Sequence, residues 1–181
     1  MAQVRFAFRL LPLILLVSCG STPQTAVIFP GQIGDFARQN VGKSGQGAAY
    51  VMGDVNPVTA AVRFGGGMAS RSLAPMLDLG GDSLDTAMAN VGVGIKRFYP
   101  KAALTLDEPL YLVRDGAFKP GRHQIWVYQD DFLGSTQQVA MDVVISCCNA
   151  QGQLVNVWFR HRADNPIEPD MLAFLNALPW D

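Results

Sequence analysis

The chain has 181 residues, of which 49% are hydrophobic and 16% are charged. This composition is too apolar for a disordered protein and too often interrupted by polar residues for a multi-span membrane protein. The formal net charge of -1 provides no basic surplus for binding phosphates, so no nucleic-acid partner is expected.

The N-terminal segment MAQVRFAFRLLPLILLVSC predicts an export signal rather than a spanning helix. Two arginines precede an apolar run that is far shorter than the roughly 20 residues a bilayer core requires. The ending Leu16-Val17-Ser18-Cys19 resembles the lipobox of bacterial lipoproteins. That resemblance implies cleavage before Cys19 and acylation of this residue. Because Gly20 rather than an aspartate follows, it also implies the outer membrane, facing the periplasm. An ordinary secretory signal with a chance cysteine is the alternative.

The composition divides the chain into three parts: a lipoprotein signal peptide (1–18), a lipidated flexible tether (19–47) and a periplasmic β-rich domain (48–181). The tether is predicted because Gly, Ser, Thr, Pro and Gln dominate residues 20–47. Its one compact apolar patch, 27–29, is a candidate edge strand.

The domain is predicted to be mainly β, an antiparallel sheet or sandwich with one or two short helices. An α+β arrangement, with helices packed on a three-stranded antiparallel sheet, is the alternative. A first helix is predicted from a cap at Asp82 or Ser83 to Asn90, and a second, amphipathic helix over 168–178. The predicted strands are 49–52, 58–64, 91–99, 103–106, 110–114, 122–129, 138–148 and 154–162.

Residues 138–162 predict a hairpin whose register can be argued. Its loop contains Gly152, which can adopt the positive φ that such loops require. Pairing Cys148 with Leu154 places apolar residues opposite one another and Asp142 opposite Arg160, so that acid meets base. A slip of one residue would send the apolar set to the other face.

The run Pro120-Gly121-Arg122-His123 resembles a strand-entry motif of bacterial envelope β-sandwich modules, including PEGA-like domains. The resemblance implies a turn that enters a central strand and implies no activity. It places His123 on one face of that strand and Trp126 on the other.

Cys147 and Cys148 allow three interpretations. Adjacent side chains of a strand point to opposite faces, so one thiol would be buried and one exposed. A disulfide between the two would require the regular ladder to end. Metal or redox chemistry is the third interpretation, although no C-x-x-C motif accompanies the pair.

One face of the predicted sheet is unusually aromatic for a surface in contact with water. Either a second layer, such as the C-terminal helix, covers it, or it is a recognition surface, since aromatic residues beside arginine are common interface anchors. The nominated binding residues are Trp126, Tyr128, Trp158, Arg160 and Arg162.

These observations favour a non-enzymatic, lipid-anchored envelope protein that binds a protein partner or supports an envelope complex. No nucleophile, zinc-protease or metal-spaced motif occurs in the sequence, and no catalytic residue, metal or cofactor is expected. The two histidines are expected to lie at strand ends. A thiol-dependent redox protein centred on Cys147 and Cys148 is one alternative. A peptidoglycan or carbohydrate binder that uses Trp126 and Trp158 is the other.

Overall fold

The computed structural model describes residues 27–42, 47–65, 83–132, 134–149 and 152–180. These residues form one antiparallel sheet of eight strands, in the order β1-β2-β3-β4-β8-β7-β6-β5, and two helices. The elements are β1 (Gln32–Ile33), β2 (Phe36–Val41), β3 (Gly47–Met52), β4 (Val58–Phe64), α1 (Leu84–Phe98), β5 (Ala103–Arg114), β6 (Ala117–Phe132), β7 (Ser135–Ser146), β8 (Val155–Arg162) and α2 (Glu168–Ala177).

The sheet consists of two four-stranded meanders that meet where β4 pairs with β8. The predicted mainly β fold with two helices is therefore confirmed, as one wide sheet rather than two stacked sheets. The alternative with a three-stranded sheet is wrong.

The two helices pack on opposite faces of the sheet. α1 buries Met88, Val91 and Ile95 in one core cluster against β6, β7 and β8. On the other face, the ring of Phe174 in α2 lies 4.9 Å from that of Phe36 and 5.3 Å from that of Tyr50. Covered on both sides, β7 is buried from Val139 to Ser146 and β8 from Val155 to Phe159. No helix in the described part of the chain is both long enough and apolar enough to cross a bilayer.

The predicted tether, 19–47, differs from the structure over residues 27–42. This segment contributes β1 and β2, and the side chains of Phe29, Ile33 and Phe36 are at most 2% exposed. Its composition is polar because β2 buries only Phe36 and leaves its remaining residues exposed. The sheet therefore begins within the segment that composition assigned to a tether.

The predicted strand 91–99 is wrong, because residues 91–98 belong to α1 and Tyr99 is its C-cap. Val and Gly alternate there and imitate the period of a strand. The buried residues Ala87, Met88, Val91 and Ile95 instead follow the spacing of one helical face. The cap at Ser83 is confirmed, since its Oγ accepts a hydrogen bond from the Thr86 N–H.

The β7–β8 hairpin is confirmed, with Gly152 at a φ of 74°, but its predicted register is wrong by one residue. Val143 pairs with Trp158, and Asp142 pairs with Phe159. The alternation of apolar and polar residues does not determine the register here, because all residues from Val139 to Ser146 are buried. A slip therefore exposes no apolar surface.

Replacing Phe36 by alanine tests whether the N-terminal strands belong to the core. Because the ring is 1% exposed and contacts Phe159 and Phe174, we expect the free energy of unfolding to fall by about 3–5 kcal/mol in urea denaturation. The matched control, Val41→Ala in the same strand, is expected to change it by no more than about 0.5 kcal/mol, since Val41 is exposed. Equal effects of the two variants would contradict this assignment.

Candidate functional site

The three aromatic residues nominated for binding are buried beneath α1. Trp126, Tyr128 and Trp158 are 4%, 4% and 7% exposed. The helix approaches closely because it presents Gly92, where an added Cβ would lie 3.1 Å from the Trp126 ring. These rings therefore form neither an exposed recognition surface nor a stacking platform for sugars. A second layer does cover this face, but it is α1 rather than the C-terminal helix.

Arg160 lies in a polar cluster at the margin of that buried face. Its Nη2 donates to Asp130 Oδ2 at 2.7 Å, and Tyr99 Oη donates to the same oxygen at 2.6 Å. The Tyr99 ring stacks on Tyr128 with centroids 3.9 Å apart. Burial and the hydrogen bond to Asp130 raise the pKa of Tyr99, so its hydroxyl stays protonated and remains a donor. The predicted partner of Arg160, Asp142, is on the opposite face.

Arg162, the last nominated residue, points to solvent. Its guanidinium donates two hydrogen bonds to the carboxylate of Asp164, at 2.9 and 2.6 Å. Both side chains are exposed, and such a pair contributes little to stability.

A cavity of about 250 Å³ opens on the α1 face of the sheet, over β3, β4 and β8. The small side chains of Ala49 and Ala61 line its floor and leave space above the sheet. Trp158, Arg160 and Thr59 form part of its wall. Of the five nominated residues, only Trp158 and Arg160 border it. A mixed wall of this kind, apolar with a few polar groups, is typical of small binding sites.

Three polar side chains meet on the α2 face, where β6, β7 and β8 run side by side. Asp142 in β7 accepts a hydrogen bond from His123 Nε2 in β6 on one carboxylate oxygen and from His161 Nε2 in β8 on the other, both at 2.7 Å. All three residues are 4–5% exposed. The strand register brings the three side chains together. Ile125 and Phe159 lie directly opposite Asp142, and each histidine is two residues further along its strand, within diagonal reach of the carboxylate.

The hydrogen-bond partners define the protons of this triad. A carboxylate oxygen and a peptide carbonyl can only accept, so every nitrogen facing one must carry a proton. His161 Nε2 faces Asp142, and His161 Nδ1 faces the Arg162 carbonyl at 2.8 Å. Both ring nitrogens of His161 therefore lie at hydrogen-bond distance from an acceptor. The second ring nitrogen of His123, Nδ1, lies 3.9 Å from Glu108 Oε1.

The carboxylate of Asp142 is held in its charged form by its partners. Burial alone would raise the pKa of Asp142, but the hydrogen bonds and charges of His123 and His161 outweigh it and hold that pKa below its usual value. The triad is thus a buried, partnered charge network. The Nε2 atom of each histidine is hydrogen-bonded to Asp142. The described residues contain no group of three or more His, Cys, Asp or Glu arranged to hold a metal ion. The triad joins β6, β7 and β8 through two hydrogen bonds between buried side chains.

No pattern in the sequence predicted this triad. His161 does lie next to the end of β8, as expected, but the same expectation is wrong for His123, which lies inside β6. The predicted register assigned Asp142 to the face of Arg160. One usable signal was present, because Asp142 interrupts the otherwise apolar run from Val139 to Ile145. A buried polar group requires a polar partner.

Cys147 and Cys148 are joined to each other by a disulfide. Both residues are half-exposed and lie just beyond β7, whose ladder ends at Ser146. The turn that follows is closed by a hydrogen bond from the Asn149 N–H to the Gln153 carbonyl, at 2.9 Å. Of the three interpretations, the structure has the disulfide, at the point where the regular strand geometry stops.

The lipidation candidate, Cys19, lies outside the described residues, as does the predicted signal peptide. No protein-family model matches the chain, and no curated protein sequence matches it either.

Replacing Asp142 by asparagine tests the triad. The amide nitrogen of asparagine can only donate, so one of the two buried histidine contacts loses its acceptor. We expect the free energy of unfolding at neutral pH to fall by about 3–5 kcal/mol in urea denaturation. Since the pKa of Asp142 is lowered by folding, the stabilisation it provides is complete above the ordinary carboxyl value of 3.8 and is lost as the pH falls below that value. The difference between the two proteins should shrink in the same window.

The matched control is Asp85→Asn, at a carboxylate that is 88% exposed and 3.5 Å from Arg122. It should change stability by no more than about 0.5 kcal/mol at any pH. A loss of that small size in the Asp142 variant would show that the triad does not hold the strands.

Proposed function

We propose that the chain is a non-enzymatic, lipid-anchored protein of the bacterial cell envelope whose folded part binds a protein partner. The observation that carries the proposal is the sequence Leu16-Val17-Ser18-Cys19 after a short apolar run. Acylation of Cys19 would attach the chain to a membrane, with the outer membrane favoured by Gly20. More than one acyl chain makes such anchoring stable.

The disulfide between Cys147 and Cys148 supports an exported location. Disulfides form and persist in oxidising compartments, such as the bacterial periplasm, and are rare in the cytosol. The same bond would also be the resting oxidised form of a thiol-dependent redox protein, which stays the alternative.

The cavity bordered by Ala49, Ala61, Trp158 and Arg160 supports a binding role. It replaces the buried aromatic face as the candidate contact surface. Because its floor is built from alanines, a protruding apolar side chain of a partner would fit there without displacing the sheet. Arg160 supplies a polar group at the rim.

Removing the thiol of residue 19 tests the anchor. We expect the full chain to fractionate with membranes and to incorporate labelled palmitate, whereas Cys19→Ser is recovered in the soluble fraction without label. The control, Cys147→Ser combined with Cys148→Ser, should keep both the label and the membrane location. A full chain whose mass shows an intact, unmodified Met1 would refute the anchor.

Filling the cavity tests the contact surface. Ala61→Leu adds three carbons to the cavity floor and should block a partner from entering it. After crosslinking and mild detergent extraction, we expect envelope proteins to co-purify with the unaltered chain but not with this variant. The matched control is Ala103→Leu. Ala103 is an exposed residue of β5, the edge strand away from the cavity, so this variant should retain the same envelope proteins.

Retention of the same proteins by both leucine variants would exclude the cavity as the contact surface. The double serine variant of Cys147 and Cys148 should also retain them. Its failure to do so would favour the redox alternative.

A further inference from the structure

The β5–β6 hairpin carries an exposed apolar patch that the fold does not explain. Its strands are joined by Asp115 and Gly116, both at positive φ, in a two-residue turn. On one face of the hairpin, Tyr111, Val113 and Phe118 are 65%, 56% and 75% exposed. Val113 pairs with Phe118, and Tyr111 pairs with the exposed Pro120, so the four side chains are contiguous. We call these four residues the tip patch.

The hairpin is held firmly from its other face. Leu112 is 3% exposed in the core cluster beneath α2. Arg114 donates a hydrogen bond to the Asn176 carbonyl at 2.6 Å and lies 5.1 Å above the Trp180 ring. The tip patch is thus presented by an anchored hairpin, and large apolar patches of this kind mark contact surfaces.

The tip patch projects beyond one end of the sheet. At that end, which we call the Phe64 end, the paired residues Phe64, Val155, Ser146, Gly121 and Leu110 lie in one row across five strands. Beyond Leu110, β5 continues for four residues to Arg114, or roughly 13 Å. The two strands that carry the tip patch therefore extend past their neighbours.

The N-terminal part of the described chain lies at the same end. The ring of Phe29 is 5.6 Å from that of Phe64, and Val27 packs against the same core. Cys19 precedes Val27 by eight residues, a length of chain that reaches at most about 28 Å. Four strand spacings separate Phe64 from β5, or about 19 Å. A bilayer that holds acylated Cys19 is thus within reach of the tip patch.

We propose that the tip patch inserts into the surface of the bilayer to which Cys19 is anchored, as a second point of attachment; this inference rests on the proposed lipid anchor. Aromatic and apolar side chains on one face of an element are the groups that enter the boundary between headgroups and acyl chains. Asp115 at the turn limits insertion to that boundary, because a carboxylate is costly in the hydrocarbon. The anchor and the hairpin together would orient the sheet with its Phe64 end toward the membrane.

The test uses the full acylated chain carrying Phe118→Trp, purified in detergent and reconstituted into vesicles of phosphatidylethanolamine and phosphatidylglycerol. The native tryptophans at positions 126, 158 and 180 are buried, so an added exposed indole can be resolved. We expect its emission to shift to the blue on reconstitution and to be quenched when the acyl chains are brominated. Adding Tyr111→Ser and Val113→Ser should abolish both effects.

The matched control is Val55→Trp, at an 84% exposed residue in the β3–β4 turn at the opposite end of the sheet. Its emission should change neither on reconstitution nor with brominated lipid. If the Phe118→Trp chain is retained on the vesicles but its added indole is not quenched, the insertion is overturned while the anchor stays intact. A blue shift that instead follows protein concentration in detergent would assign the tip patch to a second copy of the chain and would also overturn it.

A chain that is not retained on the vesicles, with Cys19 unmodified, would remove the proposed anchor itself. The two failures are therefore distinguishable in one experiment.

Discussion

The carboxylate shared between His123 and His161 is the interaction on which the centre of the sheet depends. It joins β6, β7 and β8 on the face covered by α2, at two distances of 2.7 Å. Both faces of these strands are apolar, so burial of hydrophobic surface does not choose between neighbouring registers. A slip of one residue would carry Asp142 to the other face and leave two buried imidazoles without their acceptor. The cost of unpaired buried polar groups thus specifies an alignment that hydrophobicity leaves open.

The sequence was informative for elements whose apolar residues repeat with the period of a strand or a helix. Val58–Phe64 alternates between buried and less buried positions, and Glu168–Ala177 carries a clear apolar stripe, so both elements could be predicted. Prediction failed where a second, non-local surface decides the outcome. The sequence of Val91–Phe98 resembles a strand, but the segment is helical because the rings of Trp126 and Trp158 provide an apolar surface for a helix to cover. β2 resembles a linker because it buries a single side chain, Phe36.

The candidate sites also divide into those that depend on neighbours in the sequence and those that depend on distant strands. The disulfide was among the interpretations of Cys147 and Cys148, because it depends on neighbours in the sequence. The histidine–aspartate triad and the cavity depend on the pairing of distant strands. A register error of one residue hid the triad, and the cavity depends on the pairing of β4 with β8, which was not predicted. The β5–β6 hairpin was missed for a different reason. Its turn signal, Asp115-Gly116 between alternating apolar residues, is local and strong, but the predicted strands 110–114 and 122–129 leave residues 117–121 outside the hairpin. It is also the turn that brings the tip patch together.

The bond between Cys147 and Cys148 closes a ring between consecutive residues. A crosslink restricts the unfolded chain more when it encloses a longer loop, and here it encloses no intervening residue. It therefore removes almost no chain entropy from the unfolded state, unlike the long-range disulfides that stabilise small secreted domains. Reduction of this bond would therefore leave the conformational freedom of the unfolded chain almost unchanged. Its main structural effect would be local, at the half-exposed end of β7.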